Sequence, residues 1–265
     1  MMPATPKKMP VLFLGHGNPM NAIGENEFVD GFRQLGQSIP KPIAILCISA
    51  HWETKGTQVT AMLKPKTIHD FGGFPKALYE VQYPAPGDPV LAADTQETVS
   101  STFVGFDYAW GLDHGAWSVI KHLYPLADVP VVEMSLDYTQ PPAYHYELGR
   151  QLASLRKKGI LIIGSGNMVH NLRMAAWEEM ETPGFSFDWA AEASLTMKRH
   201  ILEGDHASLI QYASQGREVR MAIPTPEHYL PLLYTLSLQE KGDAVSFFND
   251  QMIAGSLSMT SVKID

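Results

Sequence analysis

Ile43-Ala44-Ile45-Leu46-Cys47-Ile48-Ser49-Ala50-His51 runs for eight residues without a charge and ends on a histidine. An apolar stretch of this length, lacking the polar alternation of a half-solvated strand, is what a strand covered on both faces requires. Similar runs recur along the chain. Pro10–Leu14 leads into Gly15-His16, Pro130–Ser135 stands alone, and Ile160–Ile163 leads into Gly164-Ser165-Gly166-Asn167. Segments of helical period separate them. Glu27–Ile39 is spaced through Phe28, Phe32 and Leu35, and Val90–Thr102, Ala116–Leu123, Ala143–Lys157, Trp189–Leu202, Ala207–Ala213 and Glu227–Leu236 read the same way. Val59–Leu63, Val245–Phe248 and Ser258–Val262 complete the expected strands. Strands alternating with helices predict an α/β fold, with a central, mostly parallel or mixed sheet flanked by helices. With no repeat, low-complexity tract or long linker, residues 1–265 read as one domain.

Composition narrows the partners. The net charge is −8 and no Lys/Arg cluster interrupts it, which argues against nucleic acid and anionic membranes. No apolar run approaches the roughly 18 residues of a membrane span. The run after Lys7 and Lys8 ends at Leu14, too soon for a signal-peptide core. Cys47 is the only cysteine, so intramolecular disulfides and multi-cysteine zinc modules are excluded and a reducing cytoplasm is the expected setting. Small molecules remain as the natural partners. No self-complementary apolar stripe indicates an oligomeric state.

Histidines carry the chemistry. Ligands of open α/β sheets bind beyond the carboxyl ends of the strands. His16 and His51 each follow a buried strand there, beside the small residues Gly15, Gly17 and Ala50 that allow close approach of a metal or substrate. His170 comes shortly after the glycine-rich turn. In Pro224-Thr225-Pro226-Glu227-His228, Thr225 suits a helix N-cap and Pro226 the first helical position. His228 would then lie in a first turn, where the helix dipole favours the neutral imidazole a metal needs. Glu227 is either a ligand or an acidic residue placed for that dipole. His114, beside Asp113, and His69, in the loop-rich stretch Lys64–Pro89, are candidates for substrate contact, and His114 also for proton transfer. His122, His145, His200 and His206 are expected at solvated or boundary positions. Gly164–Asn167 could cradle a phosphate but matches neither a P-loop nor G-x-G-x-x-G, and neither G-x-S-x-G nor H-E-x-x-H occurs.

Five segments, taken in order, identify a likeness. Leu14-Gly15-His16-Gly17-Asn18-Pro19-Met20, Ser49-Ala50-His51-Trp52, His69-Asp70-Phe71-Gly72-Gly73-Phe74-Pro75, Trp110-Gly111-Leu112-Asp113-His114-Gly115 and Pro224-Thr225-Pro226-Glu227-His228-Tyr229-Leu230-Pro231 resemble the class III extradiol ring-cleaving dioxygenases, in their DOPA 4,5-dioxygenase branch. The resemblance runs from about Met9 to Val262. It implies that His16, His51 and His228 hold one divalent metal, Fe(II) for catalysis or Zn(II) as found bound, with O2 as co-substrate. It makes His170 a further ligand or the acid–base group, a role His114 could also fill. It implies cleavage of a catechol such as L-DOPA next to its diol, giving a seco-DOPA product. His69, Phe71, Phe74 and Trp110 are the candidate contacts for such a flat aromatic diol. Better-known members use two histidines and a carboxylate, whereas here His228 stands at the third position with Glu227 beside it. The same histidines would also serve a zinc hydrolase or a non-catalytic binding relative.

Overall fold

The computed structural model describes residues 8–180 and 182–265. Its strands are β1 (Val11–Gly15), β2 (Ala44–Thr54), β3 (Thr57–Thr60), β4 (Val104–Asp107), β5 (Val131–Asp137), β6 (Ile160–Gly166), β7 (Val245–Phe248), β8 (Met252–Ile253), β9 (Leu257–Ser258) and β10 (Ser261–Ile264). Eight of them form a mixed sheet in the order β4-β3-β5-β2-β6-β1-β10-β7, while β8 and β9 make a separate ribbon. The inner strands β5, β2, β6 and β1 are parallel neighbours; β10 and β7 close one side antiparallel. The α/β expectation with a mixed sheet is therefore met.

Strand alternation sorts the apolar residues into two cores. Val11, Phe13, Leu46, Ile48 and Ile162 face one layer, and Leu12, Leu14, Ile45, Cys47 and Ile163 face the other. Helices α1 (Glu27–Ser38), α2 (Lys76–Tyr79) and α4 (His114–Leu123) cover the second layer. The first is covered by α3 (Pro89–Thr98), α5 (Pro142–Gln151), α6 (Ala153–Lys157), α7 (Asp188–Glu203), α8 (His206–Ile210), α9 (Arg217–Ala222) and α10 (Leu230–Ser237). Each fully buried Leu, Ile or Phe contributes about 1.5–3 kcal/mol relative to exposure. Two such layers hold the strand ends rigid. No helix among the described residues is long and apolar enough to cross a membrane.

Several boundaries differ from the pattern reading. The helix expected over Ala143–Lys157 breaks at Leu152 into α5 and α6. Strand β4 has a single buried residue, Val104, and gives no apolar run to recognise. The glycines 164 and 166 do not form a phosphate loop. They continue β6, and a Cβ on Gly166 would run into the backbone of His228. Helix α10 starts at Leu230, so Thr225 caps nothing; its hydroxyl donates instead to Glu227 at 2.8 Å. His228 thus sits in the turn before the helix. His122, His145 and His200 are buried rather than solvated; His122 Nε2 lies 2.8 Å from the Asn21 carbonyl, and His145 Nδ1 lies 3.1 Å from the Tyr234 hydroxyl.

Candidate metal centre

Because β1, β2 and β6 run parallel, their carboxyl ends meet at one edge of the sheet. His16 leaves β1 there. His51 stays within β2, where the register against β5 shifts between Ile48 and Glu53. An irregularity of that kind re-aims a strand side chain, and His51 is the residue it turns. His228 arrives from the turn that Gly166 allows to pack on β6, its carbonyl accepting the Asn167 N–H at 2.9 Å. The three ring centroids stand 5.0, 5.1 and 5.3 Å apart, and one nitrogen from each lies within 4.8 Å of the others.

Hydrogen-bond partners fix which nitrogens face inward. The Ser165 hydroxyl donates its only hydrogen to the Gly115 carbonyl, so it accepts from His16 Nδ1, 3.0 Å away. His51 Nδ1 lies 3.2 Å from Asp70 Oδ2, and His228 Nδ1 lies 3.2 Å from Glu227 Oε1. Every Nδ1–H is thereby committed outward, and each Nε2 is left as a bare acceptor. Two of those acceptors, His16 Nε2 and His51 Nε2, face each other at 3.3 Å. Two lone pairs at that distance repel unless a proton or a metal ion lies between them. Metal–nitrogen bonds of about 2.0–2.1 Å put adjacent ligand nitrogens at roughly this spacing. The donor set fits a divalent metal, and each histidine has the outer partner that metal-bound imidazoles require.

Electrostatics favour a neutral ring at two of the three histidines. Burial, then the neighbouring His51 and His228, holds His16 well below the usual imidazole range; burial, then His170 and His51, does the same to His228. It is burial, not a helix dipole, that keeps His228 neutral. Burial also opposes charge on His51, but Asp70 and Asp113 outweigh it and its pKa is raised. Burial alone would raise Asp70; its contacts with His114 and His51 instead hold it well below the carboxylate range.

Around this trio the structure arranges the other expected residues unevenly. His114 Nδ1 lies 3.0 Å from Asp70 Oδ2, and its backbone N–H donates to Asp70 Oδ1 at 2.8 Å. Its ring is 3.9 Å from that of His51. His170 stacks flat on His228, with centroids 3.6 Å apart and planes within 7°, and burial lowers its pKa to about 4. A cavity of about 220 Å³ opens over the cluster, lined by His16, His51, His114, His170 and His228 together with Phe74. Phe71 packs edge-on behind His114 and Phe74 and does not line it. His69 turns away to the Val81 carbonyl at 2.9 Å, and Trp110 stacks on Trp52 outside the cavity.

Gly17, Asn18 and Pro19, from the first of the five segments, also line the cavity, and the remaining wall comes from residues that the sequence did not single out: Leu172, Trp177, Met180 and Leu257. Asp70 was legible as an acidic residue beside His69, but nothing local marked it as the carboxylate joining His51 to His114. Gly15 and Gly17 also have a reason other than ligand access. A Cβ on Gly15 would meet the backbone of Met259 at 2.5 Å, and Gly17 has a φ of +61°.

Beneath the site, α4 is capped by Asp113, whose Oδ1 accepts from Ser49 Oγ at 2.7 Å and from the Ala116 N–H at 3.1 Å. Gly115 allows this approach, since a Cβ there would lie 2.7 Å from His51 Cδ2. Glu133, fully buried on β5, accepts the Asp113 N–H at 2.9 Å. Glu133 Oε2 and Asp113 Oδ2 are both buried without a further partner, and a proton held on Glu133 has Asp113 as its acceptor. Burial and then the Asp113 charge raise the Glu133 pKa well above its ordinary 4.5. The folded protein therefore binds a proton that the unfolded chain releases above about pH 4.5, and stability falls as pH rises past that value. Glu133→Gln keeps the acceptor for Asp113 and removes this loss. Its Tm relative to the parent is expected to rise by about 2 °C or more between pH 5 and pH 8 in thermal denaturation. A constant difference across that range would refute the buried-proton assignment.

Comparison with known proteins gives a consistent result. Residues 9–251 match the family described as the catalytic LigB subunit of aromatic ring-opening dioxygenase. The chain is 45% identical over 261 residues to a 4,5-DOPA dioxygenase extradiol of Escherichia coli (strain K12), covering 97% of this chain and 95% of that one. It is 34% identical to a 4,5-DOPA dioxygenase extradiol of Beta vulgaris, over 95% and 94% of the two chains. The crystal structure of an uncharacterized Escherichia coli K12 protein superimposes with a TM-score of 0.84 at 40% identity, covering 97% of this chain and all of that one.

Proposed function

The chain belongs to the family of aromatic ring-opening dioxygenases typified by the LigB catalytic subunit, and on that premise we propose that it cleaves a catechol such as L-DOPA extradiol, at the 4,5 bond, using one divalent metal and O2. His16, His51 and His228 hold the metal, and Fe(II) is the ion that matches the redox chemistry. The observation that carries this reading is the pair of bare Nε2 acceptors facing each other at 3.3 Å, each with its Nδ1 turned outward. A metal held there supplies a positive charge that acidifies the catechol hydroxyls and a redox couple through which the ring's electrons reach O2.

The chain's own groups do the rest. Asp70 turns His114 Nδ1 outward, so His114 Nε2 is left to take a proton from a substrate hydroxyl and return it to the oxygenated product. Phe74, Leu172 and Trp177 offer flat, apolar walls that orient the ring and keep bulk water from the reacting carbon. Glu227 meets His228 at Nδ1 and acts as its orienting partner, not as a fourth ligand. The buried, unpaired thiol of Cys47 suits a cytoplasmic enzyme.

Oxygen uptake tests the proposal. Protein loaded anaerobically with Fe(II) is expected to consume O2 on addition of L-DOPA while a yellow ring-opened product accumulates, and His16→Ala is expected to do neither. Stoichiometric metal without oxygen uptake on L-DOPA or simple catechols would overturn the dioxygenase reading in favour of a zinc hydrolase.

A further inference from the structure

The cavity over the histidines has no Lys, Arg, Asp or Glu among the described residues of its wall. A catechol ring is at home there, but a charged substituent on the ring finds no ionic partner. Two wall residues, Asn18 and Met180, are shared with a second cavity of about 350 Å³. Its character is different. Asn26, Thr182 and Gln251 contribute polar groups, Glu25 and Glu27 contribute carboxylates, and no Lys or Arg among the described residues lines it.

The two carboxylates are not equivalent. Glu25 is held by Arg33, whose Nη2 donates at 2.7 Å. Glu27, at the start of α1, accepts from Gln251 Nε2 at 2.7 Å and forms no ion pair among the described residues. Among the described residues, its charge is therefore the uncompensated one lining the cleft.

We propose that the ring substituent of the substrate leaves the catalytic cavity between Asn18 and Met180 and ends in this cleft, where Glu27 selects catechols with a cationic substituent over those with an anionic one. The assignment rests on the ring-cleavage reading. An ammonium gains from the carboxylate what a carboxylate substituent loses to it, so the discrimination counts the same charge twice. Because the cleft is open to solvent, the preference weakens as salt is added.

The test compares dopamine, 3,4-dihydroxyphenylacetate and the uncharged 4-methylcatechol on the Fe(II)-loaded protein. The kcat/KM for dopamine is expected to exceed that for 3,4-dihydroxyphenylacetate by about tenfold or more, roughly 1.4 kcal/mol. The ratio should shrink between 20 mM and 500 mM salt, concentrations on the order of which surface charge becomes screened. Glu27→Gln, which retains a partner for Gln251, should narrow the ratio at least about threefold, and Glu27→Lys should bring it to one or below. Anaerobic titration of the same ligands, followed by tryptophan fluorescence from Trp177, should give the same order in Kd. Equal efficiency for the two charged catechols, or a ratio that Glu27→Lys leaves unmoved, would overturn the proposal. If not even 4-methylcatechol is cleaved, the ring-cleavage reading is what has failed, and the anaerobic Kd ratio still decides the role of Glu27.

Discussion

Replacing His51 with alanine is expected to leave a folded protein that no longer retains metal and has lost oxygen uptake by more than about 100-fold. That bound follows from the outer partners: removing a group that merely orients a metal-bound histidine typically costs 10–100-fold in affinity or activity, so removing the ligand itself must cost more. Folding should survive. His51 is only partly buried, it lies in the irregular stretch of β2 between the paired residues Ile48 and Glu53, and the apolar strand residues that pack the two cores all precede it. The loss also relieves something. Without the His51 ring, the His16 nitrogen no longer faces a second one, so the metal-free variant should be no less stable than the metal-free parent beyond the lost packing of one imidazole and its contact with Asp70. Metal analysis of protein loaded with Fe(II) and then passed over a desalting column reads the outcome directly. Stoichiometric metal in His51→Ala would remove His51 from the ligand set, and with it the argument from the facing nitrogens.

The sequence made the strand ends legible for a simple reason. A strand covered on both faces must be apolar throughout, so the first polar residue after the run marks the edge where ligands bind, and His16 and His51 announce themselves. The likeness to a known family drew on the same short segments. What stayed hidden was whatever depends on how distant loops return. Asp70 belongs to a loop without strand or helix, and its two imidazole partners come from β2 and from the first residue of α4. The walls at Leu172, Trp177 and Met180 lie on short turns whose apolar residues follow neither a period of 2 nor one of 3.6. Trp110 shows the opposite error. Its neighbours sit in a segment shared with His114, yet its ring stacks on Trp52 with centroids 5.6 Å apart, beyond the cavity wall. Sequence proximity to a site residue carries little information about which way a large side chain points.

The glycines teach a related point about inference from residue type. Gly15, Gly17 and Gly166 all border the cluster, and small residues beside a candidate ligand invite the conclusion that something small binds against them. In the structure the neighbour is the protein itself: the backbone of Met259 at Gly15 and that of His228 at Gly166. Gly15 and Gly166 bring the β10-side segment and the His228 turn close enough to complete the site, which makes them part of its construction, while Gly17 also lines the cavity.

His114→Gln separates the two candidates for proton transfer, and it is expected to bind metal as the parent does while losing about 10²–10⁴ in kcat. The reasoning is geometric. His114 is absent from the trio of inward nitrogens, so its loss leaves His16, His51 and His228 in place. It is backed by Asp70, a carboxylate oxygen 3.0 Å from its Nδ1, and glutamine can neither accept nor return a proton. His170 is placed differently. Its ring lies flat against His228 at 3.6 Å, covering one face of a ligand, and the carboxylate beside it, Glu227, is engaged with His228 and Thr225. His170→Gln should therefore act mainly on the seating of His228, seen as weaker metal retention, with a loss in kcat of less than about tenfold once metal is saturating. The two variants thus trade places in two assays, metal retention and turnover at saturating metal. If His170→Gln shows the large kcat loss with full metal and His114→Gln does not, the acid–base role passes to His170. The Asp70 contact would then serve only to hold the first turn of α4 against β2.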